Sequence, residues 1–193
     1  MQLFHFSDDP GIEIFEPRPL RVAVDRGPDR EWLNGPLVWA TDEAHSLLYL
    51  FPRECPRIVI WPTATTRDED REKWFGDGSY RAVAYVEEAW LGRLTTEAVH
   101  RYRMPPASFE DIQDVGMWVS RTRVKPLGIE TISDLVGAMA AQNIELRSLP
   151  RLTPLKDVWL TTLHASGIRL RNARDWGKPG WTHFRPGRSV AGS

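Results

Sequence analysis

Cysteine is almost absent from this sequence: Cys55 is the one cysteine among 193 residues. A single cysteine cannot form a disulfide within the chain, and it cannot supply a cysteine-based zinc cluster. The five histidines are scattered along the chain, without the spaced partners that a zinc site needs. We therefore expect no metal.

Long apolar runs and a net charge of either sign are also missing. No apolar run approaches the roughly 20 residues that cross a bilayer, and Met1 leads into strand-like sequence without a secretory pattern. The 25 basic and 26 acidic residues leave a formal charge of -1, so no overall field attracts nucleic acid or an anionic membrane. We expect a cytoplasmic protein with no membrane partner and no extended nucleic-acid surface.

The familiar catalytic and phosphate-binding signatures are missing as well. The sequence has no Gly-x-Gly-x-x-Gly, no Walker loop, no His-Glu-x-x-His and no Gly-x-Ser-x-Gly. Any function must therefore be argued from residues that are dispersed along the chain.

What the chain does contain favours strands and rigid turns over a helical bundle. It has nine tryptophans and 15 prolines, and 41% of its residues are hydrophobic. That length and composition suit one sizeable core. We expect a mixed α+β protein with a single globular domain over residues 1–174 and a flexible, Gly/Pro-rich tail over 175–193.

Hydrophobic patterning predicts mostly short strands. Apolar or alternating segments bounded by turn residues predict strands at 2–7, 37–40, 57–61, 79–87, 98–104, 117–120, 124–130 and 145–149. Helical spacing after a Ser cap makes 133–142 the clearest helix. Further helical segments are predicted at 42–51, 89–94 and 157–166.

Three segments of the sequence resemble motifs of ADP-ribosyltransferase-like proteins. They are His5-Phe6-Ser7, then Val38-Trp39-Ala40-Thr41 followed by Tyr49, and the stretch from Trp118 to Pro126. The resemblance implies a split, mainly antiparallel sheet flanked by short helices, with NAD, ADP-ribose or ADP bound in a central cleft. It also implies that His5 contacts a ribose and that Thr41 and Tyr49 pack the nicotinamide. The whole chain, including 164–172, further resembles a bacterial family of uncharacterised proteins.

The third of these motifs departs from the pattern at Met117. In ADP-ribosyltransferase-like proteins a glutamate commonly stands just before the aromatic-Val-Ser segment. The thioether of Met117 cannot replace the charge of that glutamate. Losing that group could raise the free-energy barrier to NAD cleavage by about 3 kcal/mol or more. Glu110, Asp111 or Asp114 could substitute from the preceding loop. Whether the chain is an enzyme, a divergent NAD-dependent ADP-ribosyltransferase, therefore stays open.

Clusters of hydrogen-bond donors add candidates for phosphate contact. Arg18 is fixed between two prolines, arginines and hydroxyls alternate over 120–123, and Arg169 and Arg171 share a face if their segment is extended. The residues expected to bind the cofactor are His5, Ser7, Arg18, Trp39, Thr41, Tyr49, Trp118, Ser120, Arg121, His164, Ser166, Arg169 and Arg171.

Each candidate also has a structural interpretation. His5 could be a core histidine bonded to a backbone carbonyl, Trp39 and Trp118 could be core, and the arginines could be solvated. On that basis the alternative function is a non-catalytic protein-interaction module whose cleft is filled by side chains. The identity of a protein acceptor or partner stays open.

Overall fold

The structure is a computed structural model that describes residues 1–178. The chain forms two compact units, each built from two separate stretches. The first unit combines Met1–Tyr49 with Ala98–Ile132, and the second combines Leu50–Glu97 with the described residues from Ser133 onward. None of the helices in the described residues has the length and apolar content that a membrane crossing requires.

Among the described residues, β-strand is the commonest kind of regular structure. In chain order the strands are β1 Leu3–Ser7, β2 Val38–Asp42, β3 Arg57–Trp61, β4 Ala82–Glu87, β5 Val99–Met104, β6 Glu110–Asp111, β7 Met117–Ser120, β8 Gly128–Ile132, β9 Ile144–Leu149 and β10 His164–Ile168. The mixed α+β class and the mainly antiparallel sheets that the sequence predicts are confirmed.

The helices are short. The α-helices are α1 Asp68–Phe75, α2 Leu91–Thr96 and α3 Leu135–Ala141, and 3-10 turns occupy Pro28–Asn34, Ser46–Tyr49, Glu88–Trp90, Pro106–Ser108, Thr153–Leu160 and Leu170–Asn172. The helix predicted from residue 133 begins at Leu135, because Asp134 is its N-cap and accepts a hydrogen bond from the Gly137 backbone N at 2.8 Å. The helix predicted over 42–51 is only a 3-10 turn.

In the first unit, the strands that the structure describes pair in the order β6-β7-β2-β1-β5-β8, and all neighbours are antiparallel. Because side chains alternate along a strand, this register defines two faces. The Leu3 face carries Leu3, Ala40, Tyr102 and Trp118, which pack into one apolar cluster. The Phe4 face carries Phe4, Thr41, Val119 and the residues that alternate with them, and Val119 packs there with Leu33, Leu37 and Ile112.

In the second unit, the described strands pair in the order β10-β3-β4-β9, with β4 and β9 parallel. The central strands are buried, apart from the partly exposed Trp61 at the end of β3, as their near-continuous apolar runs require. Helix α1 packs Trp74 and Phe75 into this core, and Arg147 donates to their carbonyl oxygens at 2.7 and 3.1 Å. That guanidinium satisfies carbonyls that the end of a helix leaves without a partner.

The prediction of a helix over 157–166 is wrong. The 3-10 turn ends at Leu160, and His164–Ile168 is instead the strand β10, paired antiparallel with β3. The apolar spacing that suggested a helix comes from two separate elements that pack in one core. Trp176 is also buried in that core, and the part of the predicted tail from residue 179 onward lies outside the described residues.

Candidate functional site

A group of aromatic and hydroxyl side chains on the Phe4 face forms the most informative site in the first unit. Thr41 lies opposite Phe4 of β1 and Met117 of β7, and Trp39 lies opposite Val119. The 3-10 turn that follows β2 brings Tyr49 back to this face. We call Phe6, Trp39, Thr41, Tyr49 and Met117 the Thr41 cluster.

Two polar atoms of the Thr41 cluster are buried without a hydrogen-bond partner. Thr41 is 2% exposed, and neither its Oγ1 nor the indole Nε1 of Trp39 bonds to any atom of residues 1–178. A buried polar group left in this state costs about 1–3 kcal/mol, so native proteins rarely contain one without a reason. The two atoms are therefore suited to a partner from outside the described chain.

Tyr49 is held by contacts on its ring and on its hydroxyl. Its ring stacks on Phe6 at 5.7 Å between centroids and 21° between planes. Its hydroxyl donates to the Met117 Sδ at 3.1 Å. Met117 thus helps to position this tyrosine.

The carboxylates that could replace a glutamate at Met117 are engaged elsewhere. Glu110 accepts from Arg121 Nε at 2.9 Å, Asp111 accepts from the Gln113 backbone N at 2.8 Å, and Asp114 pairs with Arg30 at 3.3 Å. These three contacts fix the loop that leads into β7.

Two arginines stack on tryptophans at the Phe4 face. The Arg26 guanidinium lies 5.5 Å from the Trp39 ring centroid, and that of Arg121 lies 4.3 Å from the Trp32 centroid. Stacking holds a guanidinium in place while leaving its N–H groups in the ring plane for bonding. Of the expected site residues, Arg121 thus shares a face with Trp39, Thr41 and Tyr49.

His5 and Ser7 lie on the other face of the same sheet. His5 Nδ1 donates to the Trp39 carbonyl oxygen at 2.8 Å, and its ring contacts Phe15 at 4.6 Å between centroids. The Ser7 Oγ accepts from the Asp9 backbone N at 3.1 Å. These contacts are those of a core histidine and of a turn serine.

Trp118 and Ser120 are also on the Leu3 face. Trp118 packs against the apolar cluster there, and Ser120 Oγ donates to the Thr122 carbonyl oxygen at 3.3 Å. Arg18 is exposed, and its backbone exchanges two hydrogen bonds with Leu37, both at 3.2 Å. The sheet of the first unit therefore separates the candidate residues into two groups instead of collecting them at one site.

The remaining candidates belong to the second unit. The His164 ring stacks on Trp61 at 4.2 Å, and Ser166 lies opposite Val59 in β3. Arg169 and Arg171 do not share a strand face, because Arg169 adopts the left-handed conformation and Arg171 lies in the 3-10 turn Leu170–Asn172.

This turn directs both arginines toward Glu54. Arg169 Nε lies 3.6 Å from Glu54 Oε1, and Arg171 Nη2 lies 3.4 Å from Oε2. Asn172 Nδ2 donates to the same carboxylate at 3.0 Å and to the Glu54 carbonyl oxygen at 2.8 Å. The Asn172 hydrogen bond, with the charges of Arg169, Arg171 and Arg53, lowers the pKa of Glu54. We call Arg53, Glu54, Arg169, Arg171 and Asn172 the Glu54 cluster.

Sequence reasoning missed a paired aspartate and histidine at the end of β2. Asp42 Oδ1 accepts from both the backbone N and the ring Nδ1 of His45, each at 2.8 Å. Gly116, at φ +67°, packs against both side chains. The Asp-x-x-His spacing predicts the backbone contact as a cap, but nothing in the local sequence points to Gly116.

Comparison with curated proteins and with solved structures finds no match for the chain. A family model does match residues 4–173, which span both units. The chain therefore belongs to the family described as a family of unknown function (DUF6886).

Proposed function

We propose that the first unit binds an adenine nucleotide carrying a diphosphate, namely NAD, ADP-ribose or ADP, with its base or nicotinamide at the Thr41 cluster. The observation that carries this proposal is the burial of Thr41 Oγ1 and Trp39 Nε1 without partners among residues 1–178. The resemblance of this segment to a nicotinamide-packing motif supports the same assignment.

The chemistry of these two groups suits a planar ring with a polar edge. A hydroxyl both donates and accepts, whereas an indole N–H only donates. A carboxamide or the edge of a purine offers the complementary acceptor and donor, and its ring faces are apolar like the Phe4 and Phe6 side chains nearby. Arg121, stacked on Trp32 at 4.3 Å, is the cation that this proposal assigns to the phosphates.

The proposal is for binding, and NAD cleavage is a separate question that a measurement of NAD consumption would answer. If NAD is consumed, its glycosidic bond breaks and ADP-ribose passes to an acceptor or to water. Met117 supplies no charge for that step, so turnover would require a carboxylate in a different position from the one described here.

The stacking of Phe6 on Tyr49 favours a second candidate, a non-catalytic interaction module. Two near-parallel rings 5.7 Å apart leave no room for a third ring, which needs about 7 Å at ordinary contact distances. On that side of Tyr49 a side chain already occupies the position that a nicotinamide ring would take. In this candidate the cleft is filled by side chains and the aromatic groups serve a protein partner.

A thermal-shift screen of the full chain against NAD, ADP-ribose, ADP, ATP, AMP and nicotinamide tests the proposal. Ligand at about 100 times its dissociation constant adds about 2.7 kcal/mol, which moves the melting temperature by roughly 5–10 °C in a protein of this size. The decisive variant is Thr41→Val, which keeps the shape and removes only the buried hydroxyl. We expect it to retain or exceed wild-type stability and to lose the nucleotide shift.

Thr131→Val is the matched control, because Thr131 is an exposed threonine of the same sheet that bonds His100 at 3.0 Å. It should keep the nucleotide shift. An absence of shift with every ligand would refute nucleotide binding and favour the interaction module. A shift that Thr41→Val retains would show that the nucleotide binds elsewhere.

A further inference from the structure

The Glu54 cluster of the second unit is anchored to the apolar core of that unit. Leu170, the first residue of its 3-10 turn, and Ala173, directly after the turn, are each 7% exposed and belong to the apolar core. Asn172 ties this turn to the 53–54 segment through the Glu54 carbonyl oxygen at 2.8 Å. The donors therefore stand in fixed positions while their side chains stay accessible.

The carboxylate fits these donors poorly. Charge-assisted hydrogen bonds from arginine normally measure about 2.7–2.9 Å. Here the guanidinium-to-carboxylate distances are 3.6 Å for Arg169, whose Nε also donates to the Arg53 carbonyl oxygen at 3.4 Å, and 3.4 Å for Arg171. A carboxylate has two oxygens in one plane, and it does not reach both guanidiniums closely. A tetrahedral anion is wider and presents three oxygens, so it can shorten both contacts.

The cluster is rich in positive charge. Arg53, Arg169 and Arg171 all act on Glu54, and their charges help to lower the pKa of that carboxyl. Three guanidinium groups around one position provide the kind of local positive field that favours a phosphate or diphosphate group.

The backbone conformation of Arg169 also supports a ligand site. It lies at φ 57° and ψ 25°, the left-handed region that glycine or asparagine normally occupies. A long cationic side chain held there costs conformational energy, and such positions cluster at ligand sites. This conformation starts the turn that presents Arg171 and Asn172 to the carboxylate.

We propose that the Glu54 cluster is an anion site for a phosphate or diphosphate group, and that the Glu54 carboxylate occupies it when no ligand is bound. The site goes beyond the nucleotide binding proposed for the Thr41 cluster and does not depend on it. The incoming phosphate displaces the carboxylate from Arg169 and Arg171, and no covalent bond changes.

Calorimetric titration of the full chain with inorganic phosphate and with pyrophosphate, at low ionic strength, tests this site, because salt screens exposed charges. Glu54→Gln removes the competing charge, and its amide oxygen can still accept from Asn172. We expect it to bind pyrophosphate about tenfold more tightly than wild type, and we expect Arg171→Gln to bind it about tenfold more weakly. If the cluster is purely structural, Glu54→Gln will not gain affinity for pyrophosphate.

Glu97→Gln is the matched control, because Glu97 is also paired with an arginine of the second unit, Arg93, and lies outside the cluster. It should bind pyrophosphate like wild type. No binding by wild type, or no gain in Glu54→Gln, overturns the site. Thr41→Val separates the two proposals: it should keep pyrophosphate binding, and loss of that binding would also overturn the assignment to the Glu54 cluster.

Discussion

Gly116 should tolerate no side chain, for two structural reasons. Its φ of +67° is strained for any L-residue, and a Cβ would lie 2.2 Å from His45 Nδ1 and 2.6 Å from Asp42 Oδ2. The neighbouring loop cannot easily relax, because Gln113 and Val115 already have positive φ values of 53° and 45°. Alanine must therefore push apart the Asp42–His45 pair.

For Gly116→Ala we expect a loss of about 3 kcal/mol of unfolding free energy. The left-handed conformation costs alanine about 1 kcal/mol. Overpacking, with loss of the Asp42 cap, costs about 2 kcal/mol more. In a protein of this length the melting temperature should fall by roughly 6–12 °C. Urea unfolding monitored by tryptophan fluorescence measures the free energy of unfolding directly.

Gly27→Ala isolates the backbone part of this loss. Gly27 lies in the same unit at φ +77°, and a Cβ there would meet nothing within 4 Å. We expect it to lose only about 1 kcal/mol. A difference of less than about 0.5 kcal/mol between the two variants would show that the close packing of Gly116 against Asp42 and His45 does not limit stability.

Two further predictions concern titrating groups of the second unit. Asp70 Oδ2 accepts from the Thr162 Oγ1 at 2.6 Å and from its backbone N at 2.8 Å, and these bonds lower the pKa of Asp70. A carboxylate with a lowered pKa stabilises the fold above its unfolded pKa of about 3.9, and this stabilisation is lost as the pH falls through the folded pKa. Thr162→Val should therefore cost about 1–2 kcal/mol at neutral pH and less in acid, as measured by urea unfolding at both pH values; an equal cost would contradict the assignment. Burial raises the pKa of the Cys55 thiol to about 12, so at pH 8 only about one molecule in ten thousand carries the thiolate. Ellman's reagent should react slowly with the native chain and quickly in denaturant, and rapid reaction of the native chain would show that Cys55 is not buried.

Strands bounded by prolines or turn residues were predictable from sequence. The segment 57–61 lies between Pro56 and Pro62, is apolar from Ile58 to Trp61, and forms β3 with the same bounds. The short segment 117–120, also predicted as a strand, likewise forms β7. β10 could not be predicted, because its small residues become a strand only by pairing with β3, about a hundred residues earlier in the chain.

The candidate site was only partly predictable, because the faces of a sheet depend on register. Alternation along the sequence places Trp39 and Thr41 on one face of β2 and His5 and Ser7 on one face of β1. It does not show that these are opposite faces, which follows only from the pairing of Phe4 with Thr41. Similarly, the contact of Glu54 with residues 169–172 joins distant segments.

The interleaving of the two units along the chain sets the order in which their sheets become complete during synthesis on the ribosome. Once Ile132 has been added, every strand described for the first sheet is present. At that stage the second sheet has only β3 and β4, which are its two central and most apolar strands. They must wait for β9 and β10 with both outer edges unpaired, a state that promotes aggregation. The growing chain therefore passes through a period in which residues 57–87 are the segment that most needs protection by chaperones.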